Sequence, residues 1–374
     1  MKILQVSNYY YPFIGGIEQV ARDCSDALKD HHEVKVFCFH KEKGDMRGEV
    51  DGVEVIRAGS FAKVASQSLS FSYGKLLKKT FREFQPDVVI FHYPNPFGAH
   101  YLKKQLKKYP RCKLVLWWHL DITKQKILGK LFAGQTKWLL KHACKIVATS
   151  PNYIEGSACL RSVREKCTVI PCCVSSARMC VSDEIAERAK ALRTEYAGKT
   201  ICLAMGRHVP YKGMEYLVRA SKLLGDSFAV WIGGQGELTD ELKRLAADDK
   251  KVEFLGRVEN DELISRMLAC DIFCFPSITK NEAFGIALAE AMAYGKPAVT
   301  FTIAGSGVNY VSLNGETGIE VENRNIGAYA DAIKALAADN VLREKYGENA
   351  RRRVEENFTN GIFKNNVTKL METL

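Results

Sequence analysis

Short continuous runs of apolar residues alternate with longer amphipathic stretches along the whole chain. The runs contain few polar residues, so each is typical of a strand that is covered on both faces. Strands of this kind, separated by helices, predict a mainly parallel sheet wrapped by helices. The pattern occurs twice, with predicted strands at Ile3–Ser7, Val34–Phe39, Val53–Ala58, Val88–Phe91, Leu114–Trp118, Lys145–Ala148 and Thr168–Ile170, and then at Ile201–Met205, Phe228–Ile232, Val252–Phe254, Ile272–Phe275, Ala298–Thr300 and Gly318–Val321.

The repeated pattern predicts two domains. We expect an α/β protein with two doubly wound, Rossmann-like domains that face each other across a cleft, with ligands at the carboxyl ends of the strands. The polar interval 175–198 is a plausible junction, so the N-terminal domain is assigned to residues 1–175 and the C-terminal domain to 176–359. Helical periodicity also extends through 360–374, and this last helix is expected to pack on the N-terminal domain.

Composition favours a soluble cytosolic protein. The chain has 374 residues, of which 47% are hydrophobic and 26% charged, and no run approaches the roughly 20 apolar residues that span a bilayer. The first residues resemble a buried strand rather than a signal peptide. The twelve cysteines are expected to be reduced, since several lie inside strand-like runs, and no cluster has the spacing of a metal site.

Positive charge is concentrated in the first half of the chain. Residues 1–175 contain 28 Lys and Arg against 15 Asp and Glu, within a total net charge of +11. Nucleic acid is not favoured as the partner, because no nucleic-acid-binding module accompanies the charge. Anionic lipid headgroups or a lipid-diphosphate acceptor fit a basic, partly aromatic surface, although a helix with a solvated basic side fits equally well. The lysines of this predicted surface are Lys103, Lys104, Lys107, Lys108, Lys126, Lys130 and Lys137.

Two acids, Glu282 and Glu290, lie eight residues apart. Along a helix this separation is about 12 Å, whereas a retaining glycosidase needs about 5 to 5.5 Å between its carboxyl groups, so that activity is excluded. If a helix begins just after Glu282, its first amides are unpaired and suit phosphate oxygens. Glu290 is then placed to bind a ribose and Glu282 a transferred sugar. The residues that supply these amides include Phe284, Gly285 and Ile286.

Two cations, Arg207 and Lys212, follow the predicted strand Ile201–Met205. A guanidinium and an ammonium at a strand end are suited to bracket a diphosphate and to stabilise it as a leaving group. Two solvated surface cations are the alternative. Because they lie in the same predicted domain as Glu282 and Glu290, we favour a cradle for a nucleotide-sugar diphosphate.

Two further features lie at strand ends in the first half. Gly15 and Gly16 precede a predicted helix and permit close approach of a ligand, but they lack the dinucleotide-binding pattern, so an oxidoreductase is a distant alternative. His119 directly follows Leu114–Trp118 and is placed to bond a sugar hydroxyl or to orient the acceptor. A structural histidine is the alternative there, and His92 is assigned to that structural class.

Five segments together resemble a known family. They are Gly206–Gly213 (GRHVPYKG), Asn281–Pro297 (NEAFGIALAEAMAYGKP), Gly15–Glu18 (GGIE), Trp118–Ile122 (WHLDI) and Ala148–Tyr153 (ATSPNY). In combination they are similar to the retaining GT-B glycosyltransferases of the group 1 family, and most similar to bacterial enzymes of O-antigen and capsule synthesis.

The resemblance implies a role for each residue of the cradle. Arg207 and Lys212 would bind the donor diphosphate, Glu290 the ribose, and Glu282 with the amides of Phe284 to Ile286 the sugar and phosphate. The remaining implied contacts are Gly15 and Gly16 near the phosphates, His119 near the donor sugar, and Val258 with Gly256 and Arg257 near the base.

The resemblance also implies a reaction. It is transfer of a hexose of the mannose or rhamnose class, with retention of configuration and without a metal or other cofactor. The donor would be a nucleoside-diphosphate sugar, with a GDP-sugar favoured, and the acceptor a lipid-linked oligosaccharide. The enzyme would act as a peripheral protein on the cytoplasmic face of the inner membrane. A nucleotide-sugar epimerase of the same fold and a non-catalytic nucleotide-binding scaffold are the alternatives.

Overall fold

The computed structural model describes residues 1–64, 67–122, 126–175, 179–258 and 260–374, with the side chains of 126–131 excepted. The chain forms two compact units. Unit 1 comprises Met1–Thr149, Ser157–Pro171 and Gly361–Leu374. Unit 2 comprises Ser150–Gly156 and Cys172–Asn360.

Most of the strands lie where apolar runs predict them. The strands of the described residues are β1 Lys2–Val6, β2 Glu33–His40, β3 Met46–Val50, β4 Val53–Gly59, β5 Ala62–Val64, β6 Gln67–Leu69, β7 Val88–Tyr93, β8 Lys113–Trp118, β9 Lys145–Ala148, β10 Cys167–Val169, β11 Thr200–Met205, β12 Phe228–Gly233, β13 Val252–Gly256, β14 Ile272–Phe275, β15 Ala298–Phe301 and β16 Gly318–Val321.

Helices connect most of these strands. They are α1 Gly16–Leu28, α2 Tyr73–Phe84, α3 Pro96–Lys108, α4 Lys126–His142, α5 Pro151–Gly156, α6 Ala158–Arg161, α7 Asp183–Glu195, α8 Met214–Ser221, α9 Thr239–Leu245, α10 Asn260–Ala269, α11 Ile286–Ala293, α12 Val308–Val311, α13 Ile326–Ala338, α14 Asn340–Asn357 and α15 Asn360–Glu372, with short 3₁₀ turns at Arg164–Lys166 and Pro210–Lys212. No helix in the described part of the chain has an apolar stretch long enough to cross a bilayer.

Unit 1 is built on an eight-stranded sheet in the order β10-β9-β8-β7-β1-β2-β4-β3. Every neighbouring pair is parallel except β3 with β4. All six residues of β7 are buried, as a strand covered on both faces requires. The carboxyl ends of β7 and β8 therefore lie side by side.

Unit 2 is built on a six-stranded, wholly parallel sheet in the order β13-β12-β11-β14-β15-β16. The order reverses at β11, where β12 lies on one side and β14 on the other. In open parallel sheets of this kind, ligands bind at the carboxyl ends of the strands where the order reverses. This edge is where the loops that follow β11 and β14 meet.

The last helix, α15, packs on unit 1. Phe363 is 2% exposed, and its ring centroid lies 5.8 Å from that of Trp117. Lys364 forms an ion pair with Asp30 at 2.8 Å. The apolar side of α15 is thus part of the core of unit 1.

The two units do not divide at the predicted boundary of residue 175. The short segment Ser150–Gly156 belongs to unit 2, and unit 2 resumes at Cys172. Gly156 packs so closely on Gly305 that a Cβ atom at Gly156 would lie 2.3 Å from the Cα of Gly305. Lys280 also donates to the carbonyl of Gly156 at 2.9 Å. These contacts explain why a short helix inside the first half of the sequence belongs to the second unit.

Candidate functional site

An ion pair lies at the strand edge of unit 2 where the sheet order reverses. Lys212 ends the 3₁₀ turn after β11, and Glu282 lies in the loop after β14. Because β11 and β14 are neighbours in a parallel sheet, their following loops meet at one edge. The Nζ of Lys212 lies 2.5 Å from Oε2 of Glu282, and the two side chains are only 13% and 11% exposed.

Backbone packing holds the loop of Lys212 in place. The next residue, Gly213, has φ of +61°, and a Cβ atom there would lie 2.1 Å from the carbonyl oxygen of Pro276. Only glycine meets both requirements without strain. The amide of Ile278 also donates to the carbonyl of Tyr211 at 3.0 Å, so the two loops are bonded directly.

Other side chains fix Glu282 and Lys212. Ser277 donates to Oε2 of Glu282 at 3.1 Å, and the hydroxyl of Ser306 donates to the Glu282 carbonyl. The Lys212 ammonium lies 5.1 Å from the ring centroid of Phe275. The pair is therefore rigidly positioned before any ligand arrives. Ser277 was absent from the sequence prediction, although its place just after β14 is the same signal that identified Arg207.

The helix after Glu282 begins later than predicted. Helix α11 starts at Ile286 rather than just after Glu282, because Gly285 has φ of +96° and cannot belong to a right-handed helix. Within the described residues, the amides of Phe284, Gly285, Ile286 and Ala287 donate to no protein acceptor. The run of unpaired amides predicted there is present but shifted, and Glu282 lies in the preceding loop, outside the helix of Glu290.

Glu290 lies within α11, past the first turn of the helix. Glu290 is 7% exposed and lines a small cavity with Asn260, Met267 and Tyr294. Burial, with the nearby Glu290 carboxylate as a second cause, raises the pKa of Tyr294 to about 12. The phenol therefore stays protonated and can donate a hydrogen bond.

Arg207 lies at the rim. Its side chain is exposed, and its Nη2 donates to the hydroxyl of Tyr211 at 3.2 Å. Tyr211 directly precedes Lys212 in the chain, so the two predicted cations belong to one loop. The structure thus brings Lys212 to Glu282 and leaves Arg207 free to turn toward a ligand.

The loop after β12 packs on the loop of Arg207 and is hydrogen-bonded to the end of β13. The amide of Gly234 donates to the carbonyl of Gly256 at 2.6 Å, and a Cβ atom at Gly234 would lie 1.9 Å from the carbonyl oxygen of Gly206. Val258, predicted to lie near a base, is half-buried and follows β13 at the same edge. Its Cγ2 would lie 3.3 Å from a Cβ atom built at Gly233.

Unit 1 carries a pair of histidines at its own strand edge. His119 follows β8 and His92 lies near the end of β7, and their rings are stacked with centroids 5.3 Å apart. Burial lowers the pKa of His119 to about 3 and lowers that of His92 well below its ordinary value. Both rings are neutral near pH 7. His92 is buried, as a structural histidine should be, but its contact with His119 was not predicted.

Gly15 and Gly16 begin α1 in unit 1. Gly16 is exposed, and Gly15 is the residue that precedes the first turn. A Cβ atom at Gly15 would lie 2.2 Å from Oε2 of Glu18. The absence of a side chain at Gly15 therefore lets Glu18 fold back over the start of the helix.

The predicted basic surface lies on α3 and α4 of unit 1. Lys104, Lys107, Lys108 and Lys137 are exposed, and among the residues that the structure describes none of them pairs with a carboxylate. Lys103 is half-buried and lies 5.3 Å from the ring centroid of Trp138. The side chains of Lys126 and Lys130 lie outside the described residues.

Within the described ranges, no group of three or more His, Cys, Asp or Glu side chains is placed to hold a metal ion. The twelve cysteines are free thiols, several of them buried in the sheets. The chemistry offered by the two strand edges is therefore that of cations, amides, carboxylates and neutral imidazoles.

Comparison with known proteins identifies the family. Residues 186–353 match the glycosyl transferases group 1 family, and residues 14–178 match glycosyltransferase family 4. The chain is 32% identical over 370 residues to D-rhamnosyltransferase WbpZ of Pseudomonas aeruginosa, which covers 96% of this chain and 92% of that protein. It is 30% identical over 363 residues to O-antigen chain mannosyltransferase C of Escherichia coli, at 96% and 95% coverage. The chain belongs to the group 1 family of glycosyl transferases.

The solved structures agree on the fold. Anabaena Alr3699/HepE, determined in complex with UDP and glucose, matches with a TM-score of 0.80 at 18% identity over 100% of both chains. The predicted fold class is confirmed as α/β, with two Rossmann-like domains of the GT-B glycosyltransferase architecture.

Proposed function

We propose that this glycosyltransferase moves a hexose of the mannose or rhamnose class from a nucleoside-diphosphate sugar to a lipid-linked oligosaccharide in surface polysaccharide synthesis. The observation that carries the donor half is the buried pair of Lys212 and Glu282, 2.5 Å apart, beside the unpaired amides that begin at Phe284. Together they offer a fixed cation and several N–H donors at one strand edge.

This arrangement suits a diphosphate leaving group. Negative charge grows on the diphosphate as its bond to the sugar breaks, and preorganised donors stabilise that charge most when they need not reorganise. Lys212 is preorganised by Glu282, and Arg207 adds an adaptable guanidinium at the rim. In this proposal, Glu282 also binds a hydroxyl of the sugar, and Glu290 binds the ribose.

Two relatives guide the choice of donor. The proteins at 32% and 30% identity are a D-rhamnosyltransferase and an O-antigen mannosyltransferase. We therefore favour a GDP-sugar, with His119, Gly15 and Gly16 of unit 1 also contributing to donor binding and Val258 lying near the base. Transfer with retention of configuration and without a metal or other cofactor completes the proposed reaction.

The basic surface supports the acceptor half of the proposal. Unpaired lysines on α3 and α4 suit the anionic headgroups of a membrane and the diphosphate of a lipid-linked acceptor. We infer that unit 1 holds the acceptor while the enzyme lies on the cytoplasmic face of the inner membrane as a peripheral protein.

A nucleotide panel tests the donor assignment. GDP, UDP, ADP and dTDP are each added to the purified protein, and the unfolding midpoint is measured, since a ligand that binds the folded state raises it by mass action. We expect GDP to give the largest shift and Lys212→Met to reduce that shift, while the exposed control Lys222→Ala retains it. Equal shifts in Lys212→Met and the wild type would refute the cradle.

A transfer assay then separates the alternatives. Release of GDP that depends on a lipid-linked acceptor supports the transferase, whereas conversion of the donor sugar without acceptor would indicate an epimerase. Binding of nucleotide with no release under any acceptor would indicate a scaffold. We expect the activity to survive EDTA. Loss of activity in EDTA that added Mg²⁺ or Mn²⁺ restores would contradict metal independence. The anomeric configuration of the isolated product tests retention.

A further inference from the structure

A line of hydrogen bonds crosses three neighbouring strands of unit 1 and ends at His119. The Nε2 of His119 lies 3.0 Å from Nδ1 of His92, and Nε2 of His92 lies 2.8 Å from Oε1 of Gln5. Gln5 donates from its Nε2 to Oγ of Ser25 at 2.6 Å. Ser25 in turn donates to the carbonyl of Ala21 at 3.1 Å.

The topology of the sheet places these groups on one face. Gln5 of β1 lies opposite Ile90 of β7, two residues before His92. Residues two apart in a strand point to the same face, so Gln5 and His92 share a face with the end of β8. Ser25 of α1 reaches Gln5 from above that face, and the four side chains are between 0% and 6% exposed.

The direction of each hydrogen bond follows from the last one. A carbonyl only accepts, so the single hydroxyl proton of Ser25 is committed to Ala21, and its oxygen accepts from Gln5. The Gln5 amide then presents its oxygen to His92, which must donate from Nε2. A neutral imidazole has one N–H group, so Nδ1 of His92 accepts and Nε2 of His119 donates.

The surroundings keep the two rings neutral. Burial is the main cause that lowers the pKa of both imidazoles, and the neighbouring His119 ring is a second cause for His92. The phenol of Tyr10, which interacts with the same Ser25 hydroxyl, has its pKa raised to about 12 by burial and stays protonated. Each hydrogen bond of the line therefore keeps the same donor and acceptor at neutral pH.

We propose that this line fixes His119 as the Nε2–H tautomer, so that its Nδ1 is a permanent hydrogen-bond acceptor for a hydroxyl group of the substrate. Nδ1 has no partner among the described residues and is not sealed from solvent. The inference rests on the proposed function, in which His119 contacts a sugar. Gln5, Ser25 and His92 are then positioning residues that act through His119.

Nitrogen NMR tests the tautomer without any substrate. Long-range ¹H–¹⁵N spectra of ¹⁵N-labelled protein distinguish a protonated from an unprotonated ring nitrogen, and His92→Gln and His119→Gln assign the two rings among the eight histidines. We expect neutral Nε2–H tautomers for both rings at pH 7.5. A His119 ring with its proton on Nδ1, or with both nitrogens protonated, would overturn the proposal.

Ser25→Ala tests whether the line sets the tautomer. Without the hydroxyl the Gln5 amide can reverse, so the His119 signals should move toward a mixture of the two tautomers. Ser25→Thr keeps a hydroxyl and should keep the wild-type signals. The matched control is Thr80→Val, which removes an equally buried hydroxyl that donates to the Leu76 carbonyl at 3.0 Å but lies outside the line. An unchanged tautomer in Ser25→Ala, or an equal change in Thr80→Val, would refute the mechanism.

Kinetics separate this proposal from the proposed function. With the donor that the nucleotide panel identifies, Ser25→Ala should lower kcat/KM in proportion to the fraction of His119 that leaves the Nε2–H tautomer, about twofold for an even mixture, and Ser25→Thr should restore it. A tautomer change in Ser25→Ala with unchanged kcat/KM would retain the hydrogen-bond line but overturn the contact between His119 and the sugar. If the wild-type protein has the expected tautomer but transfers no sugar, the result would instead count against the proposed function.

Discussion

The two units place chemically opposite groups at equivalent edges of their sheets. At the edge of unit 2, Lys212 and Glu282 form a charged pair with unpaired amides beside it. At the edge of unit 1, His92 and His119 form a neutral pair whose polarity comes from hydrogen bonds alone. A charged edge suits an anionic phosphate, whereas a neutral edge suits uncharged hydroxyl groups. The two sheets thus offer different chemistry at their carboxyl edges.

The largest expected effect comes from removing the charge of unit 2. Lys212→Met should lower kcat by about 10²- to 10³-fold, because one preorganised donor to the developing charge is lost. Steady-state kinetics with the cognate donor measure this loss. A decrease of less than about tenfold would mean that the lysine is not aimed at the leaving group.

Stability must be controlled in that experiment, since Lys212→Met leaves Glu282 partly buried and unpaired. The double variant Lys212→Met/Glu282→Gln removes both charges and should regain the unfolding midpoint. Its kcat should stay as low as that of Lys212→Met. Recovery of activity in the double variant would show that the single variant lost function only through instability.

Arg207→Ala should have a smaller effect, about 10- to 100-fold in kcat/KM, the scale of one charged hydrogen bond. Arg207 is exposed, and within the described residues its side chain forms a hydrogen bond to Tyr211 alone, so its removal should not lower the unfolding midpoint. Arg219→Ala, at an exposed position on α8 of the same unit, is the control. Equal activities of the two variants would contradict a role for Arg207 in donor binding.

The neutral edge of unit 1 predicts a dependence of stability on pH. The unfolded chain protonates a histidine near pH 6.5, whereas the pKa of folded His119 is about 3 and burial also lowers the pKa of folded His92 well below 6.5. The unfolded state therefore binds more protons below pH 6.5, and stability, complete above that pH, falls as pH decreases toward 3. His119 alone should cost about 1.4 kcal/mol at pH 5.5, and His92 acts in the same direction.

Urea unfolding at pH 7.5 and 5.5 measures this dependence. In a Trp231→Phe background the remaining tryptophans, Trp117, Trp118 and Trp138, all lie in unit 1 and report on its unfolding. His119→Gln should reduce the loss of stability at pH 5.5, and the exposed His31→Gln should not. If the Trp231→Phe protein and its His119→Gln and His31→Gln variants all lose the same stability at pH 5.5, His119 is not buried as described.

The smallest expected effects concern the basic surface. Each neutral substitution among Lys104, Lys107 and Lys108 should weaken binding to phosphatidylglycerol vesicles by about 1 kcal/mol, roughly fivefold. Binding should fall further as salt is added, since surface charges are screened. Sedimentation of the protein with vesicles measures both effects. Substituting Lys78, on α2, supplies a comparison from another helix of unit 1. If substitution of Lys78 weakens vesicle binding equally, the vesicles attract the net charge of the protein rather than the basic surface on α3 and α4.

Strand positions and the loops that follow them were predictable, because a strand buried on both faces needs a continuous apolar run. From Ile201–Met205 alone, Arg207 and Lys212 could be placed at the right sheet edge. The terminal helix was likewise predictable from its periodicity. In contrast, the start of α11 depended on the φ angle of Gly285, a consequence of tertiary packing that one sequence does not reveal.

Two omissions had readable signals. Helix α3 was not predicted, although Asn95 caps it and Pro96 occupies its first turn, a common start signal. His92 was judged alone, whereas its place at the end of a strand next to that of His119 indicated a contact. The tautomer of His119 was beyond sequence, because it depends on Ser25 and Gln5, which meet only in the folded sheet.

The packing of α15 has a consequence for synthesis. Phe363 covers Trp117, so the apolar centre of the first unit stays incomplete until the last helix has left the ribosome. While the second unit is being synthesised, the nascent chain must carry a first unit whose core is still partly open. The need for chaperones should therefore depend on the time between synthesis of the first sheet and emergence of α15, more than on the length of either unit.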